Sequence, residues 1–377
     1  MRVSVLQENL ARGLATVARA VSPRSTLPVL ANILVATEDG RLRLSATNLE
    51  LGITCWVGAK VQDEGATTVP ARTFVDLVNT LPPDTVEMEL TTRTQTLNLR
   101  SGTFNNNIKC IDAQEFPPMP ATEAEGAIEL NLEDLREMIS QVTFAASSDD
   151  ARPVLTGVLI EIQGGSMTMA AADGFRLSVR KAELANGVDR SVKVIIPAKA
   201  LSELARIAGD DEETIQMILP SDRSQAIFRG RDFELVSQLI DGTFPDYQGI
   251  IPTSHTNRTI LPTASFLHAC KAADIFARES AHSARLNITP GDGQSPGTVE
   301  VTATAAETGS NEITVDATIE GEPIEIAFNV RFLVDVLSVV DSSSVALETS
   351  GPASPGVIKP VGRDDFLHVV MPMHLGR

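Results

Sequence analysis

Hydrophobic positions along this chain follow two periods. Leu6, Leu10, Leu14 and Val17 fall at helical spacing, as do Leu132, Leu135, Ile139 and Val142; Leu267 with Cys270 carries the pattern a third time in weaker form. Between these stretches the period drops to two. Runs such as Leu42-Arg43-Leu44 and Met167-Thr168-Met169 are separated by Gly, Asp and Asn turn residues. Such alternation predicts half-buried antiparallel strands, so the expected class is α+β.

The pattern also repeats on a larger scale. Val69-Pro70-Ala71-Arg72-Thr73-Phe74-Val75-Asp76-Leu77 can be laid over Ile196-Pro197-Ala198-Lys199-Ala200-Leu201-Ser202-Glu203-Leu204, 127 residues later, and over Phe328 to Val336 after another 132. Upstream, Val29 to Val35 matches Val154 to Ile160 and, more weakly, His282 to Ile288. The first two copies close alike, on Ile111-Asp112 then Phe116-Pro117, and on Ile240-Asp241 then Phe244-Pro245. Proline suits a helix start and Asn329 is a good N-cap, so a second helix is predicted to open at this segment in every copy. Each copy is expected to hold two helices and several antiparallel strands. The period is domain-sized. It predicts three domains of one fold over residues 1–121, 122–252 and 253–377, with linkers at Pro117-Pro118-Met119-Pro120 and around Pro252-Thr253.

A chain of 377 residues with 43% hydrophobic and 21% charged side chains fits several globular cores and carries no disorder signature. No apolar run reaches the roughly 18 residues of a membrane span, and the segment from Met1 to Glu8 lacks the apolar stretch of a secretory signal. Cys55, Cys110 and Cys270 are far apart and odd in number, which points to a reducing, cytoplasmic setting rather than to a disulfide frame or a zinc site.

The net charge of −18 argues against gripping nucleic acid with the whole surface. It is unevenly spread. Residues 1–121 carry 11 basic and 12 acidic side chains, residues 122–252 carry 12 and 22, and residues 253–377 carry 8 and 15. One Trp and one Tyr are too few for a base-stacking platform.

Catalytic chemistry finds no support. The five histidines (His255, His268, His282, His368, His374) show no metal-ligand spacing, and no phosphate or dinucleotide fingerprint occurs. Asp149-Asp150 and Asp210-Asp211-Glu212-Glu213 read as solvated turns. No cofactor is expected. Arg72, Lys199 and Arg331 stand apart, because they recur just inside the predicted helix start in all three copies. A cation there opposes the helix dipole by about 0.3–1 kcal/mol. Either these are ordinary surface charges or they serve something outside the fold. A structural or adhesive protein of tandem domains and an enzyme with an unfamiliar site both stay open at this point.

Particular segments narrow the choice. Pro23-Arg24 with Thr26-Leu27-Pro28-Val29-Leu30, then Ala172-Asp173-Gly174-Phe175-Arg176-Leu177, Phe244-Pro245-Asp246-Tyr247, Phe328-Asn329-Val330, and the closing Val369-Val370-Met371-Pro372-Met373-His374-Leu375 resemble the bacterial sliding clamps, the beta subunits of DNA polymerase III. The resemblance covers essentially the whole chain. It implies a head-to-tail homodimer forming a six-domain ring, inner helices facing duplex DNA, no catalysis, and partners that include the polymerase catalytic subunit, the clamp loader and other proteins bearing a clamp-binding motif. Six domains, each about 36 Å across, leave a hole of similar width for a duplex about 20 Å across.

By this resemblance Arg24, Arg72, Arg152 and Lys199 line the hole, with Arg331 added by the repeat. A pocket for partner peptides is implied at Leu155, Gly174, Arg176, Leu177, Pro245, Asn329, Phe332, Val369, Val370, Met371, Pro372, Met373 and Leu375. On spacing alone, Met371 and Met373 read as an ordinary final strand. Dimer closure is implied through Ile108 of one chain and Ile275-Phe276 of the other, with burial inside each domain as the alternative reading of these residues. Four departures from the family pattern bear on the pocket: Ala172 lacks a hydroxyl, Gly249 lacks a basic group, Ala281 lacks an aromatic wall, and Gly376-Arg377 extend past the usual terminal leucine.

Overall fold

A computed structural model describes residues 1–22, 25–119, 126–184, 191–210, 212–220, 224–292 and 295–374. One element order occurs three times. The first copy runs β1 Arg2–Leu6, α1 Gln7–Val17, β2 Asn32–Glu38, β3 Arg41–Thr47, β4 Leu51–Asp63, β5 Ala66–Pro70, α2 Ala71–Thr80, β6 Thr85–Thr91, β7 Thr96–Ser101 and β8 Phe104–Lys109. The second runs β9 Ile128–Asn131, α3 Leu132–Val142, β10 Gly157–Gln163, β11 Ser166–Ala172, β12 Arg176–Glu183, β13 Val192–Pro197, α4 Ala198–Ile207, β14 Thr214–Ile218, β15 Gln225–Arg229 and β16 Phe233–Gln238. The third runs β17 Asn257–Pro262, α5 Thr263–Ala277, β18 Ser283–Thr289, β19 Gly297–Ala305, β20 Gly309–Gly321, β21 Ile324–Asn329, α6 Val330–Leu337, β22 Ser344–Thr349, β23 Gly356–Pro360 and β24 Phe366–Val370.

The helices form where the periodicity places them. Leu10, Leu14 and Val17 of α1 are fully buried, and Leu132, Leu135, Ile139 and Val142 of α3 are nearly so. Two details differ from the expected pattern. Leu6 ends β1 and is exposed, because the chain is still extended there. In α5 the buried face is Phe266, Cys270, Ala273 and Ala277, with Leu267 only half-buried, so small alanines had diluted the signal. The second helix of each copy starts directly after the strand ending in Pro70, Pro197 or Asn329, and the Asn329 side chain accepts from the Arg331 N–H at 3.1 Å. The upstream match needs correcting in the third copy. Pro70, Pro197 and Asn329 pair with Asn32, Gly157 and Ser283, so Ser280 rather than His282 is equivalent to Val29. A slip of two residues keeps every side chain on its face, which is why alternation could not detect it.

All strand pairs among the described residues are antiparallel. The chain forms two compact units, residues 1–133 with 200–239, and residues 134–199 with 240–377. Each holds one twelve-stranded sheet: β1 to β9 with β14 to β16, and β10 to β13 with β17 to β24. The middle copy thus contributes strands to both. In the first unit β4 pairs with β16, and in the second β12 pairs with β24, so each sheet continues from one copy into the next. The core of the second unit packs Phe266 of α5 and Leu333 of α6 in one cluster with Phe328 of β21 and Phe366 of β24. No helix among the described residues is long and apolar enough to cross a membrane.

Candidate functional site

The candidate site lies in the second unit, where Asp173-Gly174 joins β11 to β12. Asp173 Oδ1 accepts from the N–H groups of Phe175 at 2.8 Å and Arg176 at 3.1 Å, which folds the turn over its own side chain. Gly174 has φ +96° and a Cβ there would sit 3.2 Å from Arg152 Nη1, so the turn requires glycine. The turn delivers Arg176 into a frame that orients it fully. Its Nε is 3.0 Å from Asp173 Oδ2, its Nη1 is 2.6 Å from Asp335 Oδ2, and its guanidinium lies 4.4 Å from the Phe332 ring centre and 5.5 Å from that of Phe144. Two carboxylates and two aromatic faces fix its plane.

Arg176 forms one wall of a cavity of about 370 Å³, which Ser147, Arg152, His282, Asn329, Arg331 and Phe332 also border. Arg152 and Arg331, expected among the DNA-facing residues, therefore stand beside residues expected in the peptide pocket. Arg152 is held by Asp149 at 3.9 Å and donates to the Asp173 carbonyl at 3.3 Å. Ala281 and His282 both take left-handed backbone angles at the rim, and His282 Nδ1 is 2.7 Å from Asp274.

The apolar members divide by burial. Leu177 and Val369 pair across β12 and β24 and are nearly inaccessible, packed with Phe244, Tyr247 and Val357. Val370 belongs to the larger core. These can form a floor. The accessible members are Pro245 and Met371, with Leu155, Pro372 and Met373 half-buried. The Met371 N–H donates to the Phe175 carbonyl at 2.8 Å, which sets Met371 beside the exposed Phe175, and the Met373 N–H donates to Ala327 at 2.8 Å. Ala172 is half-buried against the floor, and Gly249 is exposed near Asp246. Leu375, Gly376 and Arg377 lie outside the described residues, as does Arg24.

Beneath the cavity wall is a polar pair that sequence reasoning missed. His368 and Ser178 face each other across β24 and β12, both fully buried, with Ser178 Oγ 2.6 Å from His368 Nδ1. Among the described residues His368 Nε2 has no hydrogen-bond partner, and its ring packs on Phe144, 5.3 Å between centres. Burial, with the nearby Arg176 charge, lowers the His368 pKa to about 3. Phe144, Asp335 and His368 are also absent from the sequence-based set. Only contacts between distant segments reveal them, although Asp173 could have been found from its Asp-Gly turn.

The remaining basic candidates share one position. Arg72, Lys199 and Arg331 are each the second residue of their helix and are exposed, Arg72 with 96% of its side chain accessible and 3.8 Å from Asp76. Of the expected dimer residues, Ile108 is buried within its own unit and Phe276 is half-buried against the core, while Ile275 is 59% exposed. Among the described residues no group of His, Cys, Asp or Glu could hold a metal ion.

Models of the N-terminal, central and C-terminal domains of the DNA polymerase III beta subunit match residues 1–120, 129–246 and 248–374. The beta sliding clamp of Staphylococcus aureus is 32% identical over 364 residues, covering 94% of each chain. That of Synechococcus elongatus is 34% identical over 382 residues, covering all of both. The sliding clamp structure from Bacillus subtilis superposes with a TM-score of 0.93 at 28% identity over the full length of both chains. The Pseudomonas aeruginosa clamp bound to griselimycin does so with 0.90 at 29% identity, again over both full lengths.

Proposed function

The chain belongs to the bacterial DNA polymerase III beta-subunit family, the sliding clamps, and on that premise we propose that two copies close head to tail into a ring around duplex DNA. The function is that of a DNA sliding clamp, a processivity factor without catalysis, built from three DNA-clamp domains. The observation that carries this reading is the match of all three family domains, in order, along a chain whose element order repeats three times.

The proposed domain limits are residues 1–121, 122–252 and 253–377. Arg24, Arg72 and Lys199 are assigned to the DNA-facing surface. Arg152 and Arg331 are assigned there too, and both also border the cavity beside Arg176. The peptide pocket comprises the floor of Leu177 and Val369, the fixed Arg176, Gly174, Asn329 and Phe332, and the accessible rim of Leu155, Pro245, Met371, Pro372 and Met373, with Leu375 beyond. Methionines suit a surface that several partners share, because their thioethers repack around different side chains. The polymerase catalytic subunit, the clamp loader and other motif-bearing proteins are the proposed occupants, and the cytoplasm the proposed location.

Calorimetry with a polymerase-derived peptide tests the pocket. Removing Met371 to Arg377 is expected to abolish binding and leave the dimer intact. Unchanged affinity in the truncated chain would refute the assignment.

A further inference from the structure

The two joints where one copy's sheet continues into the next are built alike but filled differently. At the β12–β24 joint the nearly buried Arg180 contacts Glu137 of α3 and Asp365, and Arg363 bridges the same two carboxylates. A shared phenylalanine sets the equivalences: Phe366 pairs with Arg180, and Phe233 with Cys55 at the β4–β16 joint. An aspartate precedes each, Asp365 or Asp232, and its carbonyl accepts from the Lys181 or Trp56 N–H. Counted from its first residue, α1 has Arg12 where α3 has Glu137. The turn before β16 spans residues 230–232, whereas the longer loop before β24, residues 361–365, supplies Arg363.

The β4–β16 joint thus keeps the aspartate, lacks both bridging guanidinium groups and carries the opposite charge on its helix. A cavity of about 330 Å³ lies there, bordered by Arg12, Cys55, Trp56, Gly58, Arg231 and Asp232. Arg12 and Arg231 are exposed, and among the described residues neither guanidinium makes an ion pair. The backbone is open as well. β16 pairs with Leu51 to Cys55 of β4, and β1 with Ala59 to Asp63, so Val57 and Gly58 fall between the two. Alternate residues of a strand face the same edge. Trp56 donates across this edge to Asp232, so Gly58, two residues on, turns its N–H and carbonyl the same way. Gly58 is exposed, and a Cβ there would meet nothing within 4 Å.

We propose that this cavity receives a peptide segment of a partner protein, an acidic side chain of the segment meeting Arg12 and Arg231 and its backbone pairing with Gly58. At the β12–β24 joint a helix carboxylate is met by an arginine of the chain itself. At the β4–β16 joint a helix arginine is open to a carboxylate from outside. The site depends neither on ring closure nor on the pocket beside Arg176.

A peptide suits the cavity better than a nucleic acid does. Asp232 stands in its wall together with Glu212, whose Oε1 accepts from the Arg231 N–H at 2.7 Å. Two carboxylates beside two arginines repel a run of phosphates, since like charges brought together are costly. They can instead accept the amide N–H groups that flank a single acidic residue, as Asp365 accepts from Arg363 at the other joint. An extended peptide is also the ligand that can use the open backbone of Gly58.

Trp56 gives the test its signal. It is the only tryptophan of the chain, it borders the cavity, and its Nε1–H donates to Glu38 at 2.6 Å, so its fluorescence reports what enters. A displayed library of random peptides is selected on the full-length chain and counter-selected on the Arg12→Glu, Arg231→Glu double variant. The surviving peptides, made synthetically, are expected to share an Asp or Glu and to change Trp56 fluorescence saturably. Replacing that residue by Asn or Gln, or Arg12 or Arg231 by Gln, is expected to weaken binding about tenfold or more, the order of one charged hydrogen bond. The change in the peptide leaves the protein untouched, so it decides the matter even where a variant unfolds. Survival of no peptide, peptides without an acidic residue, or equal affinity of the Asn and Gln versions would overturn the proposal. An Arg12-dependent response of Trp56 to a thymidine oligonucleotide would overturn it too, in favour of nucleic acid.

Discussion

Full burial keeps His368 neutral, and this ties stability to pH. The unfolded side chain takes up a proton near pH 6.5, whereas the folded one resists until about pH 3. Between these values the unfolded state binds more protons, so stability falls as the pH is lowered, by up to about 1.4 kcal/mol per unit. Urea unfolding at pH 7 and pH 5.5 should show this slope, and His368→Gln should flatten it; an unchanged slope would assign it to other groups. Arg176 is a second residue whose neighbours decide its role. Arg176→Lys keeps the charge but loses the planar contact with Phe332 and the fork to Asp173 and Asp335. Peptide affinity in calorimetry is expected to drop about tenfold, the order of one lost charged hydrogen bond. Equal affinity would show that charge alone suffices. The family resemblance pointed to Arg176, but Asp335 lies 159 residues further on and no local pattern announces it.

At the scale of elements, the helices were legible wherever large apolar residues marked the buried face, as in α1 and α3. They were blurred in α5, where Ala269, Ala273 and Ala277 pack without advertising themselves. The strands were visible as alternation but not as pairings, since the β12–β24 joint brings together residues almost 200 positions apart. That joint is braced by charge. Arg180, only 4% exposed, reaches Glu137 of α3 at 3.0 Å and also contacts Asp365, while Arg363 bridges Glu137 at 2.8 Å and Asp365 at 2.9 Å. The Arg363 hydrogen bond, with help from Arg180, holds the Glu137 carboxyl below its usual range against the cost of burial. Burial alone would raise Asp365, but the Arg363 hydrogen bond and the Arg180 charge outweigh it. The stabilisation is therefore present above the unfolded carboxyl pKa values and lost as the pH falls through the lowered folded ones. Glu137→Gln is expected to cost about 1.5–3 kcal/mol, the worth of a hydrogen bond to a charged group, at neutral pH and much less in acid. Thermal unfolding at both pH values measures the difference, and an equal loss at both would contradict it.

For the whole molecule, the threefold order of elements was readable from one repeated helix start, because Pro70, Pro197 and Asn329 hold the same place in it. The division into two units was not readable, since it depends on which sheet each strand of the middle copy joins. Closure into a dimer should appear in solution as a particle of twice the 40.2 kDa chain mass. With a net charge of −18, no base-reading motif and one Trp, the chain is expected to hold DNA by enclosure rather than by phosphate contacts. A phosphate-gripping protein loses affinity steeply as salt rises, whatever the shape of the DNA. An enclosing ring depends instead on whether the DNA has ends. The direct test loads labelled protein onto a nicked circle with a clamp loader and then linearises the circle with a restriction enzyme. The account predicts stable retention on the circle, across a range of salt, and rapid loss once it is cut; equal retention before and after cutting would contradict it.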